Sequence, residues 1–250
     1  MRIVSLCPSL TELVFDLGRG GDLVGVTEYC VHPADGVAGI EKVGGTKSPR
    51  VERIVALDPD LVLLNEEENR REDAEALAHA GVPCHVSMPR DCPETAQMVR
   101  SIGAAMGRAP QAEKIALDIE ARTARVLAAA RGAREVKFCY LIWRKPWMTV
   151  NADTFASGML SQAGARNVFA AKTDRYPEIT LQELAQAAPE LVLLCTEPYP
   201  FQDKHRIELA NATGLPLARF VIADGEYLSW HGSRTPAGID YAARLIAAAR

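Results

Sequence analysis

The sequence predicts an α/β fold of two related lobes, each built on a parallel sheet, joined by one long helix. Three observations carry this expectation. Residues 54–64, IVALDPDLVLL, recur as residues 184–194, LAQAAPELVLL, when Pro59 is set over Pro189. Helix-forming residues precede each proline, and the proline bars continuation. The short apolar run that follows suits a strand buried on both faces of a parallel sheet. A second correspondence comes in the same order, since Gly81-Val82-Pro83 and Gly214-Leu215-Pro216 each introduce another apolar stretch. The spacing, roughly 130 residues, is too long for a solenoid and fits two copies of one α/β unit. Between the copies, residues 109–131 are strong helix formers with apolar positions at Ile115, Leu117, Ile119, Val126 and Leu127, and Gly132 is a natural stop. The expected division is a first lobe at 1–108, a connecting helix at 109–132 and a second lobe at 133–250.

Within the first lobe, residues 3–6 read as a strand, and Pro8-Ser9 leads into a helix over 10–17 ended by Gly18. Ser9 and Glu12 have the spacing of a capping box. Residues 23–26 make a second strand, after which loops run around Tyr29 and over 43–49. Loops at the carboxyl ends of parallel strands wall the ligand crevice of α/β sheets, so Tyr29, Thr46 and Lys47 become candidate contacts. After the first repeated strand, the acid-rich run 65–73 enters a helix to about Ala80. Acids there suit a helix amino terminus, while Glu66, Glu67 and Asn69 lie nearest the strand end.

The second lobe opens with a strand over 136–142 and turns through Trp143-Arg144-Lys145-Pro146-Trp147-Met148-Thr149. Two indoles and two cations in one turn read as an amphipathic wall that stacks on a flat ligand and pairs with its carboxylates or phosphates. A helix from Asp153-Thr154-Phe155 to Gly164 follows, then the second repeated helix and strand. Beyond that strand, Glu197-Pro198-Tyr199-Pro200-Phe201 is a stiff aromatic loop, with Lys204, His205 and Arg206 after it. Trp230, His231 and Arg234 fall in a third loop before a closing helix from Ala237.

Composition narrows the function. The chain has 250 residues, 48% of them hydrophobic, which is ample for real cores. A formal net charge of -4 leaves no basic footprint, so nucleic acid and anionic membrane surfaces are poor partners. No apolar run approaches the length of about eighteen that a membrane span needs. Met1-Arg2 passes at once into an apolar strand, which is unlike an export signal. The expected compartment is the cytoplasm, or the periplasm or cell surface if a leader has been removed. Six scattered cysteines without a C-x-x-C pair read as reduced, mostly buried thiols, and Cys30 with His32 is too small a set to hold a metal.

Catalytic templates fail in turn: there is no G-x-S-x-G elbow, no Walker A run and no H-E-x-x-H, and Gly18-Arg19-Gly20-Gly21 follows a helix rather than a first strand. The aromatic and cationic residues collected at the expected rims suit holding a large planar or anionic molecule better than transforming one.

The order of residues 3–6, Ser9-Leu10-Thr11-Glu12, Val24-Gly25-Val26-Thr27, Val43-Gly44-Gly45 and 51–62 resembles the cobalamin-binding proteins of ABC importers. These stand with the iron-siderophore and haem receptors as helical-backbone metal-chelate receptors. The likeness continues through Thr154, Leu160, Gly164, Asn167-Val168-Phe169 and Trp230 to Pro236, nearly the whole chain. It implies two α/β lobes on one long helix, a ligand clamped between them, and Tyr29, Thr46, Met148 and Trp230 facing that ligand. Thr46 stands where similar cobalamin binders place a tryptophan. It further implies docking on a permease through one surface glutamate per lobe, seven residues before the repeated proline. Glu52 fits; the second position is Gln182, with Glu183 beside it.

The combined expectation is a binding protein for a metal chelate or corrinoid-like ligand, of the cobalamin, ferric siderophore or haem class, with no intrinsic cofactor and an ABC permease as the implied partner. Its candidate ligand contacts are Tyr29, Thr46, Lys47, Glu67, Trp143, Arg144, Trp147, Met148, Glu197, Tyr199, His205, Trp230, His231 and Arg234. Among them Arg144, Arg234, Lys47 and His205 would meet negative groups, and His231 or Tyr29 a metal. The alternative left open is an enzyme on a chelatase-like two-lobe scaffold that uses Glu67, Glu197 and His231 as acid, base or metal ligands.

Overall fold

The computed structural model describes residues 1–250. Strands β1 (Ile3–Ser5), β2 (Leu23–Val26), β3 (Glu41–Lys42), β4 (Leu61–Asn65) and β5 (Cys84–Ser87) form one parallel sheet in the order β3-β2-β1-β4-β5. Strands β6 (Val136–Leu141), β7 (Ala165–Asn167), β8 (Leu191–Cys195) and β9 (Phe220–Ala223) form a second, also parallel, in the order β7-β6-β8-β9. The helices are α1 (Pro8–Asp16), α2 (Ala34–Val37), α3 (Val51–Ala56), α4 (Arg71–His79), α5 (Cys92–Ala105), α6 (Ala109–Ala130), α7 (Phe155–Gln162), α8 (Leu181–Ala187), α9 (Asp203–Thr213), α10 (Gly225–Ser229) and α11 (Thr235–Ala248).

The repeated sequence is a repeated structure. β4 and β8 are buried at all five positions, and each lies between its sheet's first strand and its last. A strand flanked by parallel neighbours and covered on both faces must be apolar throughout, which is why both copies read as unbroken Leu and Val. The residue before each proline, Asp58 (φ 47°) and Ala188 (φ 43°), takes the left-handed conformation, so α3 and α8 stop just short of it. Apolar helix faces cover the sheets. Ile54 and Leu77 pack with Val4, Leu6, Val62 and Leu64, while Leu184 and Leu209 pack with Cys139, Leu141, Val192 and Leu194. Deleting one such leucine side chain costs roughly 2–5 kcal/mol.

Two local expectations are corrected. α1 begins at Pro8, whose fixed φ suits the first helical position, and its cap is Cys7 with no side-chain hydrogen bond. Ser9 therefore lies inside the helix instead of at its cap, and no Ser9–Glu12 box forms. The 22-residue α6 buries Ala112, Ala116, Ile119 and Val126, a stripe of helical period, while Leu117 and Leu127 are exposed. All six cysteines are free thiols.

Contacts sort the chain into two compact units, one of Met1–Pro89, Thr95–Leu117 and His231–Ser233, the other of Arg90–Glu94, Asp118–Trp230 and Arg234–Arg250. The division falls inside α6, and two short segments cross the borders expected from the sequence. No helix is long and apolar enough to cross a membrane.

Candidate functional site

In an open parallel sheet, loops diverge where successive strands are added on opposite sides of the first, and the crevice they leave is the usual ligand position. That switch lies between β1 and β4 in the first unit and between β6 and β8 in the second. The loops leaving those four strands carry half of the residues singled out in the sequence: Glu67, Trp143, Arg144, Trp147, Met148, Glu197 and Tyr199.

In the first unit the organiser is Asn65, at the end of β4 and 1% exposed. Its Oδ1 accepts the backbone N–H groups of Glu67 (2.9 Å) and Glu68 (3.3 Å), and its Nδ2 donates to the Ser87 carbonyl (3.0 Å). These backbone partners fix which end of the amide is nitrogen, so the 2.9 Å contact from Nδ2 to Nε2 of His231 requires that Nε2 accept. The imidazole is then neutral with its proton on Nδ1, which donates to Ser9 Oγ at 3.3 Å. Burial pushes the His231 pKa down to about 4, with the nearby Glu67 carboxylate opposing the shift. Asn69 completes the frame, donating from Nδ2 to the carbonyls of Leu6 (2.9 Å) and Thr46 (3.1 Å). Thr46 is thereby buried, Lys47 donates its ammonium to the Glu67 carbonyl, and Tyr29 is left 63% exposed.

In the second unit the turn after β6 is closed by a bridge between Trp143 and Met148, with the Met148 N–H donating to the Trp143 carbonyl at 3.1 Å. The two indoles meet the loop after β8. Trp143, 39% exposed, lies edge-on to Tyr199 at 5.6 Å between centroids, and Trp147 stacks on Phe201 at 6.1 Å with an interplanar angle of 7°. Tyr199 and Phe201 contact each other at 4.7 Å, and both meet His205 at 5.5 Å. The product is a continuous aromatic wall whose inner members, Trp147 and Phe201, root in the core of the unit.

The two arginines beside this wall already have partners. Arg144 bonds both carboxylate oxygens of Glu208, at 2.7 and 3.0 Å, and its guanidinium lies 5.7 Å from the Trp147 ring centre. Arg234 pairs with Glu226 and lies 4.9 Å over the Trp230 ring. Trp230 donates its indole N–H to Glu197 Oε2 at 2.9 Å; burial raises the Glu197 pKa and this hydrogen bond holds part of it back. Gly225 makes the approach of α10 to β8 possible, since a Cβ there would lie 2.7 Å from Cys195 Sγ and 2.9 Å from Glu197 Cβ.

The sequence-derived set is thus gathered by unit: Tyr29, Thr46, Lys47, Glu67 and His231 in the first, and Trp143, Arg144, Trp147, Met148, Glu197, Tyr199, His205, Trp230 and Arg234 in the second. His205 and His231 are each 4% exposed and serve as internal hydrogen-bonding groups rather than open cations or metal ligands. Arg144 and Arg234 sit in ion pairs within the chain instead of standing open. Asn65, Phe201, Glu208 and Glu226 were missing from the expected set. Asn65 and Phe201 had a signal, since each lies at or just past the end of a repeated strand. The two glutamates had none, because their partners are set by folding.

The model of the periplasmic binding protein family matches residues 3–211. The vitamin B12-binding protein of Vibrio parahaemolyticus is 27% identical over 191 residues, covering 76% of this chain and 69% of that protein. Among solved structures, the periplasmic vitamin B12 binding protein BtuF of Vibrio cholerae superposes with a TM-score of 0.85 at 20% identity, over 99% of this chain and 97% of its own, and so shares the fold. The periplasmic haem-binding protein RhuT of Roseiflexus sp. RS-1 in apo form gives 0.86 at 25% identity, over 100% and 99%.

Proposed function

This chain belongs to the periplasmic binding protein family, and we propose that its ligand is a flat metal chelate of the corrinoid class, delivered to an ABC permease. Membership makes it a binding protein rather than an enzyme, so the chelatase-like alternative lapses. Its relatives named for vitamin B12 and haem supply the ligand class, and the character of the wall supports the first of them. A porphyrin with two carboxylates asks for open cations, whereas Arg144 and Arg234 are held by Glu208 and Glu226. A corrinoid fringed with amides asks for an aromatic surface and hydrogen-bonding groups, which Trp143, Trp147, Tyr199 and Phe201 offer. The single observation that carries the proposal is this aromatic wall with the guanidinium groups of Arg144 and Arg234 paired within the chain. Tyr29 is the contact we propose in the first unit. The periplasm named for the family replaces the cytoplasm as the compartment.

The test is titration of the purified chain with cyanocobalamin and with hemin, followed by tryptophan fluorescence and calorimetry. Saturable binding of cyanocobalamin, at least tenfold tighter than hemin, is the expected outcome. Trp143→Ala should weaken it by roughly tenfold, the worth of one exposed stacking ring. Hemin binding more tightly would overturn the corrinoid assignment, and saturation by neither would overturn the proposed function.

A further inference from the structure

His205 has a fixed tautomer, and that tautomer determines what Tyr199 can do. The backbone N–H of Gln202 donates to Nδ1 of His205 at 2.9 Å, at the amino terminus of α9. A backbone N–H has no other role open to it, so Nδ1 carries the lone pair and Nε2 the proton. Nε2 faces the Tyr199 hydroxyl at 3.4 Å and therefore donates to it. The oxygen of Tyr199 thus accepts from His205, and its own hydrogen, directed away from that contact, is left to meet an acceptor outside the chain.

We infer that Tyr199 is a specificity-determining hydrogen-bond donor of the aromatic wall, aimed by His205 as a positioning residue, and that it selects flat ligands carrying a peripheral carbonyl acceptor such as a side-chain amide. This rests on the ligand-binding role proposed above and deepens it. Tyr199 is half-buried beside the exposed Trp143, so a ring stacked on that indole brings its fringe to the hydroxyl. His205 is inside and touches no ligand. Its influence passes through the phenol alone.

The experiment is cyanocobalamin titration of the full chain and three variants, with thermal melts to confirm folding. Tyr199→Phe keeps the ring and removes the donor, so affinity should fall about tenfold, the usual worth of one such bond. His205→Leu should fall equally, and the double variant no further than either. His205→Gln restores both an acceptor for the Gln202 N–H and a donor for Tyr199, and should bind within about threefold of the parent chain. Parent-like binding by Tyr199→Phe, or no rescue by glutamine over leucine, would overturn the assignment while leaving the ligand-binding role intact. Failure of the parent chain to bind would instead remove that role and this inference with it. Nitrogen NMR of His205 checks the geometry without ligand, because a proton found on Nδ1 rather than Nε2 excludes the inference outright.

Discussion

The His231 imidazole is closed in by Asn65 on one side and Ser9 on the other, and the contact with Asn65 needs it neutral. Its pKa of about 4 lies below the value near 6.5 expected in an unfolded chain. A base with a depressed folded value gives stability that is complete above the unfolded pKa. Between about pH 6.5 and pH 4 the unfolded chain takes up the proton first, and stability falls by about 3 kcal/mol over that window. Denaturant unfolding at pH 7 and pH 4.5 should therefore show the parent chain losing about 2–3 kcal/mol more than His231→Gln, whose amide does not titrate there. Equal losses would mean that the acid sensitivity lies elsewhere. Histidines also mark where the sequence is least legible. His205 and His231 stand beside aromatic and basic residues, which pointed to a ligand, yet what decides their roles is a backbone N–H of Gln202 and an amide from Asn65, 166 residues away from His231 in sequence.

Individual elements were easier to read, because their cause is local. A proline after helix formers and before an unbroken apolar run can hardly be anything but a helix end and a doubly covered strand, and both copies are. A capping box is less certain: Ser9 and Glu12 have the spacing, but Pro8 claims the first helical position. One box that does form is Thr180 with Glu183. It also pairs with Lys172, and these bonds lower the Glu183 carboxyl to about 2. The same local logic predicts a stabilising substitution. Ala188 caps α8 in the left-handed region at φ 43°, ψ 56°, a conformation that costs an L-residue about 1–2 kcal/mol and glycine nothing. Against the extra freedom of glycine in the unfolded chain, worth about 0.4–1 kcal/mol, Ala188→Gly should give a net gain of about 0.5–1 kcal/mol. Calorimetry should show melting rise by about 1–4 °C. A fall would mean that the left-handed turn is not strained for alanine.

At the scale of the whole molecule, duplication places two helices, α3 and α8, at equivalent points of two units, each running into its proline and buried strand. What they present to a partner is not equivalent. Glu52 is exposed on α3 beside a shallow groove lined by Pro49, Arg53 and Ala56. At the matching position α8 carries the exposed amide Gln182, and the neighbouring Glu183 carboxylate is engaged by Thr180 and Lys172. The duplicated helices were legible from the repeat, but this inequality was not, since only the folded chain shows Glu183 turned back onto its own cap. If a permease recognises exposed carboxylates, α3 holds the charged contact and α8 a neutral one. An exposed interface charge acts mainly on encounter rate and salt dependence. In cells carrying Glu52→Ala in place of the parent chain, uptake of labelled cobalamin should drop about tenfold, while the purified variant binds cyanocobalamin within about twofold. Gln182→Ala should change uptake far less. Uptake unchanged by Glu52→Ala would remove α3 from the docking surface, and an equal loss from both substitutions would show that the amide, despite its missing charge, is read as strongly as the carboxylate.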